Sequence, residues 1–80
     1  MSVTVRYFAG AKAAAGRAEQ TLTASNLAEL KNQLIDEHGD GLEKVLAISS
    51  FLIDGKQATA GHTLLSDGTT VEVLPPFAGG

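Results

Sequence analysis

A short alternating run of apolar residues stands near each end of this chain, with a helical stripe between them. Val3, Val5 and Tyr7 alternate with Thr4 and Arg6, and Val71 and Val73 flank Glu72. That is the period of a strand with one buried face. Leu27, Leu30, Leu34 and Ile35 fall at i, i+3, i+7 and i+8, the stripe of an amphipathic helix. Each strand needs cover for its apolar face, and the helix supplies it. The order predicts an α+β domain with one main helix packed on one face of a mixed sheet. In its compact form the first and last strands lie side by side and parallel.

The remaining segments fit that frame. Ala9 to Gly16 is alanine-rich and holds a short helical turn that Gly16 ends. Arg17 to Ala24 reads as a second strand, hairpin-paired with the first. Asn26 is placed as an N-cap, with Glu29 three residues on as its capping-box partner. His38-Gly39 closes the helix, with the glycine in the left-handed position, and Gly41 to Ile48 forms a second short helix or a turn. Ser50 to Ile53 is a strand stopped by Asp54-Gly55, a hairpin signal. Lys56 to Ala60 is a short return strand. Ser66-Asp67-Gly68 turns the chain into the last strand, Thr69 to Leu74.

Composition narrows the function classes. Eighty residues make a single domain. The absence of cysteine removes a disulfide framework, a thiolate metal site and a nucleophilic thiol. The net charge of −3 and the scatter of Arg6, Lys12, Arg17, Lys31, Lys44 and Lys56 argue against nucleic acid. No apolar run approaches the roughly 18 residues of a membrane span, and the start lacks the features of a signal peptide. A soluble, cytoplasmic protein is expected.

Parity yields a candidate surface. If Val3, Val5 and Tyr7 face the helix, Phe8 points the other way. Leu52 and Leu74 likewise fall opposite Phe51, Ile53, Val71 and Val73. Phe8, Leu52 and Leu74 then share the sheet face without a helix. Such a patch is a partner surface, or a loop covers it, or these are scattered exposed apolar residues, which are common.

Internal catalytic motifs are missing. There is no phosphate-binding GxxxxGK[ST] loop, so ATP chemistry would need another protein. His38 and His62 lack a second ligand at metal spacing. The distinctive chemistry lies at the end, PPFAGG. At a glycine frequency of roughly 7%, two in the final positions arise by chance in about one chain in 200. Pro75-Pro76 cannot continue a ladder and favours a stiff extended path. From Phe77 onward the tail reaches roughly 13 Å. Without Cβ atoms, Gly79 and Gly80 can thread a channel too tight for side chains. An unhindered Gly80 carboxylate can attack the α-phosphate of ATP in a partner's site. The acyl-adenylate then yields a thiocarboxylate with sulfide, or an isopeptide bond with a lysine amine.

These residues resemble the ubiquitin-like sulfur carriers of the MoaD/ThiS family, most nearly the small subunits of molybdopterin synthases. VRYFAGAKAAAG, ASNLAELKNQL, FLIDGK and LLSDGTTVEVLPPFAGG carry the likeness over the whole chain. The resemblance implies a β-grasp fold over residues 1–80, with a flexible tail over 75–80. It implies no active site and no bound cofactor in the chain itself. Gly80 would be adenylated by an enzyme similar to ubiquitin-activating enzymes, which supplies ATP and magnesium. A sulfurtransferase or persulfide donor would then make the thiocarboxylate. Pro75, Pro76, Phe77, Ala78 and Gly79 would insert into the large synthase subunit of a heterotetramer, and Gly80 would give sulfur to a cyclic pyranopterin phosphate. Phe8 and Leu74 fall where the family has apolar partner-facing residues. The chain departs from the family in Phe77, where a small β-branched residue is more common, and in Asp54, where asparagine is common. Sibling carriers for thiamin or cysteine pathways share this tail chemistry, as do ubiquitin-like modifiers. A β-grasp interaction module that does not use its glycines is the remaining alternative.

Overall fold

Strands β1 (Ser2–Tyr7) and β5 (Thr70–Leu74) lie side by side and parallel, with Val5 opposite Val71 and Tyr7 opposite Val73. This pairing comes from a computed structural model that describes residues 2–58 and 60–76. Between these strands run α1 (Ala9–Ala15), β2 (Glu19–Thr23), α2 (Leu27–His38), α3 (Asp40–Ile48), β3 (Ser50–Ile53) and β4 (Lys56–Ala58). The five strands form one sheet in the order β2-β1-β5-β3-β4. β2 is antiparallel to β1, and β3 is antiparallel to both β5 and β4. This is the mixed sheet with parallel end strands that the sequence pattern predicts, and the β-grasp topology that the resemblance implies.

Alternation decides which face is buried. Val3, Val5, Val71 and Val73 are wholly buried, and they meet Leu27, Leu30 and Leu34 from α2. Fully burying side chains of this size is worth about 1.5–3 kcal/mol each. These seven side chains are half of the fourteen buried apolar residues among the described ones, a small core as expected of a domain this size.

The helical layer is larger than one main helix. Among the described residues there are three helices. The alanine tract forms α1, which buries Ala11 and is closed by Gly16 in the left-handed conformation, φ 75° and ψ 16°. Residues 40–48 form α3 because Leu42, Val45 and Leu46 recur at i, i+3 and i+4, and Leu42 and Leu46 complete the core. Gly39 departs from the expected left-handed cap. Its φ of 84° is positive, but its ψ of −163° places it in a region open essentially to glycine alone. The reason is the direct junction of two helices: Gly39 ends α2 and is the N-cap of α3.

At the start of α2 the Glu29 N–H donates to Asn26 Oδ1 at 2.8 Å, and the Ser25 N–H donates to Glu29 Oε1 at 2.6 Å. The capping box therefore reaches one residue further back than its usual form. β2 and β4 are shorter than their sequence patterns predict. β2 is an edge strand whose carbonyls are partly covered by side chains: Arg17 Nε donates to Glu19 O at 3.1 Å, and Gln33 Nε2 to Thr23 O at 2.6 Å. Such covering blunts an edge against pairing with another chain.

The β3–β4 hairpin turns on Asp54 and Gly55, with φ of 50° and 86°, both positive as a two-residue hairpin of this kind requires. Asp54 also ties the turn to β5. Its N–H donates to Thr70 O at 2.9 Å. Its carboxylate accepts from the Thr69 hydroxyl and, at 3.0 Å, from the Thr70 N–H.

Candidate functional site: the base of the tail

The last rung of β5 pairs Leu74 with Ser50. Pro75 follows, half-buried, then Pro76, exposed. Neither proline has an N–H to extend the ladder, so the strand ends here for a covalent reason. Phe77, Ala78, Gly79 and Gly80 lie outside the described residues.

The chain leaving β1 turns beside this point. The Phe8 N–H donates to Val73 O at 3.3 Å, and Phe8 caps α1 without a side-chain bond. Phe8, Ala9, Leu74 and Pro75 line an apolar cavity of about 390 Å³. Ala9 has a φ of 50°, a left-handed conformation that costs a non-glycine residue about 1–2 kcal/mol. The strain sits in the wall of the cavity.

Of the three residues that parity assigns to the free face, the structure brings together Phe8 and Leu74. Leu52 is half-buried one row away. It stands in the register Glu19–Arg6–Glu72–Leu52–Gln57, which crosses all five strands. Leu52 is therefore flanked by polar neighbours and does not line the cavity.

Charge is less scattered in space than along the chain. The Arg6 guanidinium lies 5.7 Å from the centroid of the Phe8 ring and 3.6 Å from Glu19 Oε2. Arg6, Lys12 and Glu19 line a second cleft of about 320 Å³, which shares Phe8 and Ala9 with the apolar cavity. Sequence reasoning missed Arg6, Ala9 and Lys12. A signal existed for Arg6, which shares the strand parity of Phe8. Ala9 and Lys12 depend on how α1 folds back.

A partly buried polar cluster joins the adjoining residue Tyr7 to α2. The Tyr7 hydroxyl donates to Gln20 Oε1, and Gln20 Nε2 donates to Glu37 Oε1 at 3.0 Å. His38 Nε2 also meets Gln20 Oε1, at 2.8 Å. Burial, then the charge of Glu37, pushes the Tyr7 phenol up to about 12, against an opposing pull from Arg17. The hydroxyl thus stays protonated as a donor and acts as a structural fastener. Among the described residues no group of three or more His, Cys, Asp or Glu side chains is placed to hold a metal ion. Nor is any helix among them long and apolar enough to cross a membrane.

Known proteins share this fold. The ThiS family model matches residues 5–80. No curated protein matches the chain in sequence. A solved protein–protein complex of subunits 1 and 2 of the molybdopterin-converting factor from Helicobacter pylori contains a similar chain. It is 29% identical over 100% of both chains, with a TM-score of 0.76. The small archaeal modifier protein 1 from Methanosarcina acetivorans is 26% identical over 99% of this chain and 96% of that one, with a TM-score of 0.85. CysO from Mycobacterium tuberculosis, 15% identical over 94% of this chain and 99% of that one, shares the fold with a TM-score of 0.78.

Proposed function

Because the chain belongs to the ThiS family, with the ubiquitin-like fold of the sulfur carriers, we propose that it is the sulfur-carrier subunit of a molybdopterin synthase. The Gly80 carboxylate attacks the α-phosphate of ATP held with magnesium by an activating enzyme, and pyrophosphate leaves. The persulfide of a sulfurtransferase then displaces AMP, and a second thiol cleaves the resulting acyl disulfide, ending as a disulfide itself and leaving a thiocarboxylate on Gly80. The tail from Pro75 to Gly79 carries this group into the large subunit, where the sulfur passes to a cyclic pyranopterin phosphate. The new carbon–sulfur bond forms as an oxygen leaves the acceptor carbon, and hydrolysis of the remaining acyl–sulfur bond leaves the sulfur on the pterin and returns the Gly80 carboxylate. The chain supplies no acid, base or metal to these steps; it holds and aims the tail.

The observation that carries this reading is the placement of the tail base. Pro75 leaves the middle of the sheet beside an apolar cavity formed with Phe8 and Leu74, so a protein that docks there also receives the tail. The two-subunit composition of the Helicobacter pylori complex supports a large-subunit partner.

Intact-protein mass spectrometry tests it, after incubation with an activating enzyme, Mg-ATP and a sulfur source. The expected result is a mass gain equal to sulfur replacing one oxygen, abolished by deleting Gly80. No gain with competent activating enzymes would refute carriage of sulfur. Adding the large subunit and the pyranopterin then asks whether the gain is lost to that acceptor. A loaded chain that keeps its sulfur there belongs to a thiamin or cysteine pathway. The likeness to a small archaeal modifier protein favours a second reading, conjugation through Gly80 to a lysine of another protein. An isopeptide-linked peptide would identify it.

A further inference from the structure

We propose that Lys12, with Arg6 beside it, receives a carboxylate side chain of the docking partner and sets the partner's orientation on the tail base. This rests on the carrier reading, since the partner meant is the protein that takes the tail.

Two cavities stand wall to wall here, with Phe8 and Ala9 common to both. One is apolar; the other holds two cations against a single carboxylate, Glu19. The two cations differ in how far they are already matched. Arg6 has Glu19 at 3.6 Å, stands in register with Glu72, and lies over the Phe8 ring. Lys12 is exposed, and among the described residues its ammonium makes no ion pair or hydrogen bond. Its backbone is well anchored, because Ala11 beside it is wholly buried and the Gly16 N–H closes the helix on Lys12 O at 2.9 Å.

With Arg6 flanked by Glu19 and Glu72, Lys12 is, among the described residues, the unpaired charge of the cleft and suits one partner carboxylate. A doubly charged phosphate would meet Glu19 with charge left unmatched. The continuity with an apolar cavity suits a protein surface, with an apolar side chain entering beside Phe8 and an acidic one beside Lys12. On a chain of net charge −3, an acidic partner surface is repelled over most approaches. A positive cleft beside the tail base favours the productive one. Charges at the rim of an interface act chiefly on association rate and register.

The test measures association of the full chain with the large molybdopterin synthase subunit of the same host, at low and at physiological salt. Lys12→Glu should slow association about tenfold and flatten its salt dependence. Lys56→Glu, on the edge strand β4, should change it less than twofold. Both positions are exposed, so unfolding temperatures serve as the folding control. If Phe8→Ala weakens binding while Lys12→Glu binds like wild type, the cleft assignment is overturned and the carrier reading stands. If the wild-type chain binds neither the large subunit nor an activating enzyme, both fall. Competition by millimolar inorganic phosphate that depends on Lys12 would mark a free-anion site and overturn the partner carboxylate.

Discussion

The hydroxyl of Tyr7, the residue before Phe8, donates to Gln20 Oε1 at 2.7 Å. Through Gln20 this bond joins β1 and β2 to Glu37 and His38 at the end of α2. Tyr7→Phe removes one donor but leaves Gln20 Oε1 bonded to His38. It should cost about 0.5–1.5 kcal/mol, a fall in unfolding temperature of several degrees for a domain of this size. Gln20→Leu leaves the buried Tyr7 hydroxyl without its acceptor and should cost about 1–3 kcal/mol. Thermal unfolding of the two variants gives the ranking; equal stabilities would mean that the cluster does not hold the fold.

Tyr7 is the chain's single tyrosine, so its titration can be read without interference. Its phenol is raised from 10.0 to about 12, and the fold therefore favours the neutral form. That contribution is intact below pH 10 and is lost as pH rises from there through about 12. Tyrosinate absorbance should show a midpoint near 12 in the folded chain and near 10 in denaturant. A native midpoint at 10 would place the hydroxyl in water and remove the Gln20 bond from the account.

Asp54 gives the opposite sign. The Thr69 hydroxyl, then the Thr70 N–H, holds its carboxyl below the usual 3.8. The charged form is favoured by folding, so the contribution is present above about pH 4 and is lost as pH falls through the lowered value. Thr69→Val removes the largest cause. NMR titration of the variant should return the Asp54 carboxyl towards 3.8 and show a weaker tie between the hairpin and β5.

Ala9 is strained where Phe8 hands the chain to α1. Glycine relieves a left-handed φ at no steric cost, while its freer unfolded chain offsets part of the gain. Ala9→Gly should raise stability by about 0.5–1 kcal/mol, seen as a higher urea midpoint with an unchanged slope. A lower midpoint would mean that the alanine methyl in the cavity wall matters more than the strain.

The layout of the sheet was legible because alternation at Val3, Val5 and Tyr7, and again at Val71 and Val73, leaves one face to bury. The stripe from Leu27 to Ile35 was legible for the same reason. Residues 9–15 were less so, since an alanine run has helix propensity but no stripe to show which side packs. Gly39 was misassigned because a helix following immediately demands a different φ and ψ from a free helix end. Parity correctly joined Phe8 to Leu74. It could not show that Leu52 sits among Glu72 and Gln57, which takes the strand register. The cleft of Arg6 and Lys12 was hidden by the same limit, since nothing in their spacing along the chain reveals that α1 folds back beside β1.

β5 lies between β1 and β3 and runs straight into Pro75 and Pro76. A pull applied beyond Pro76 therefore acts along the strand and loads both neighbouring ladders in shear, several rungs together. An edge strand such as β2 or β4 would load a single ladder. The chain thus roots the segment after Pro76 in a strand held on both sides, so that force on the tail is shared by two ladders rather than borne by one.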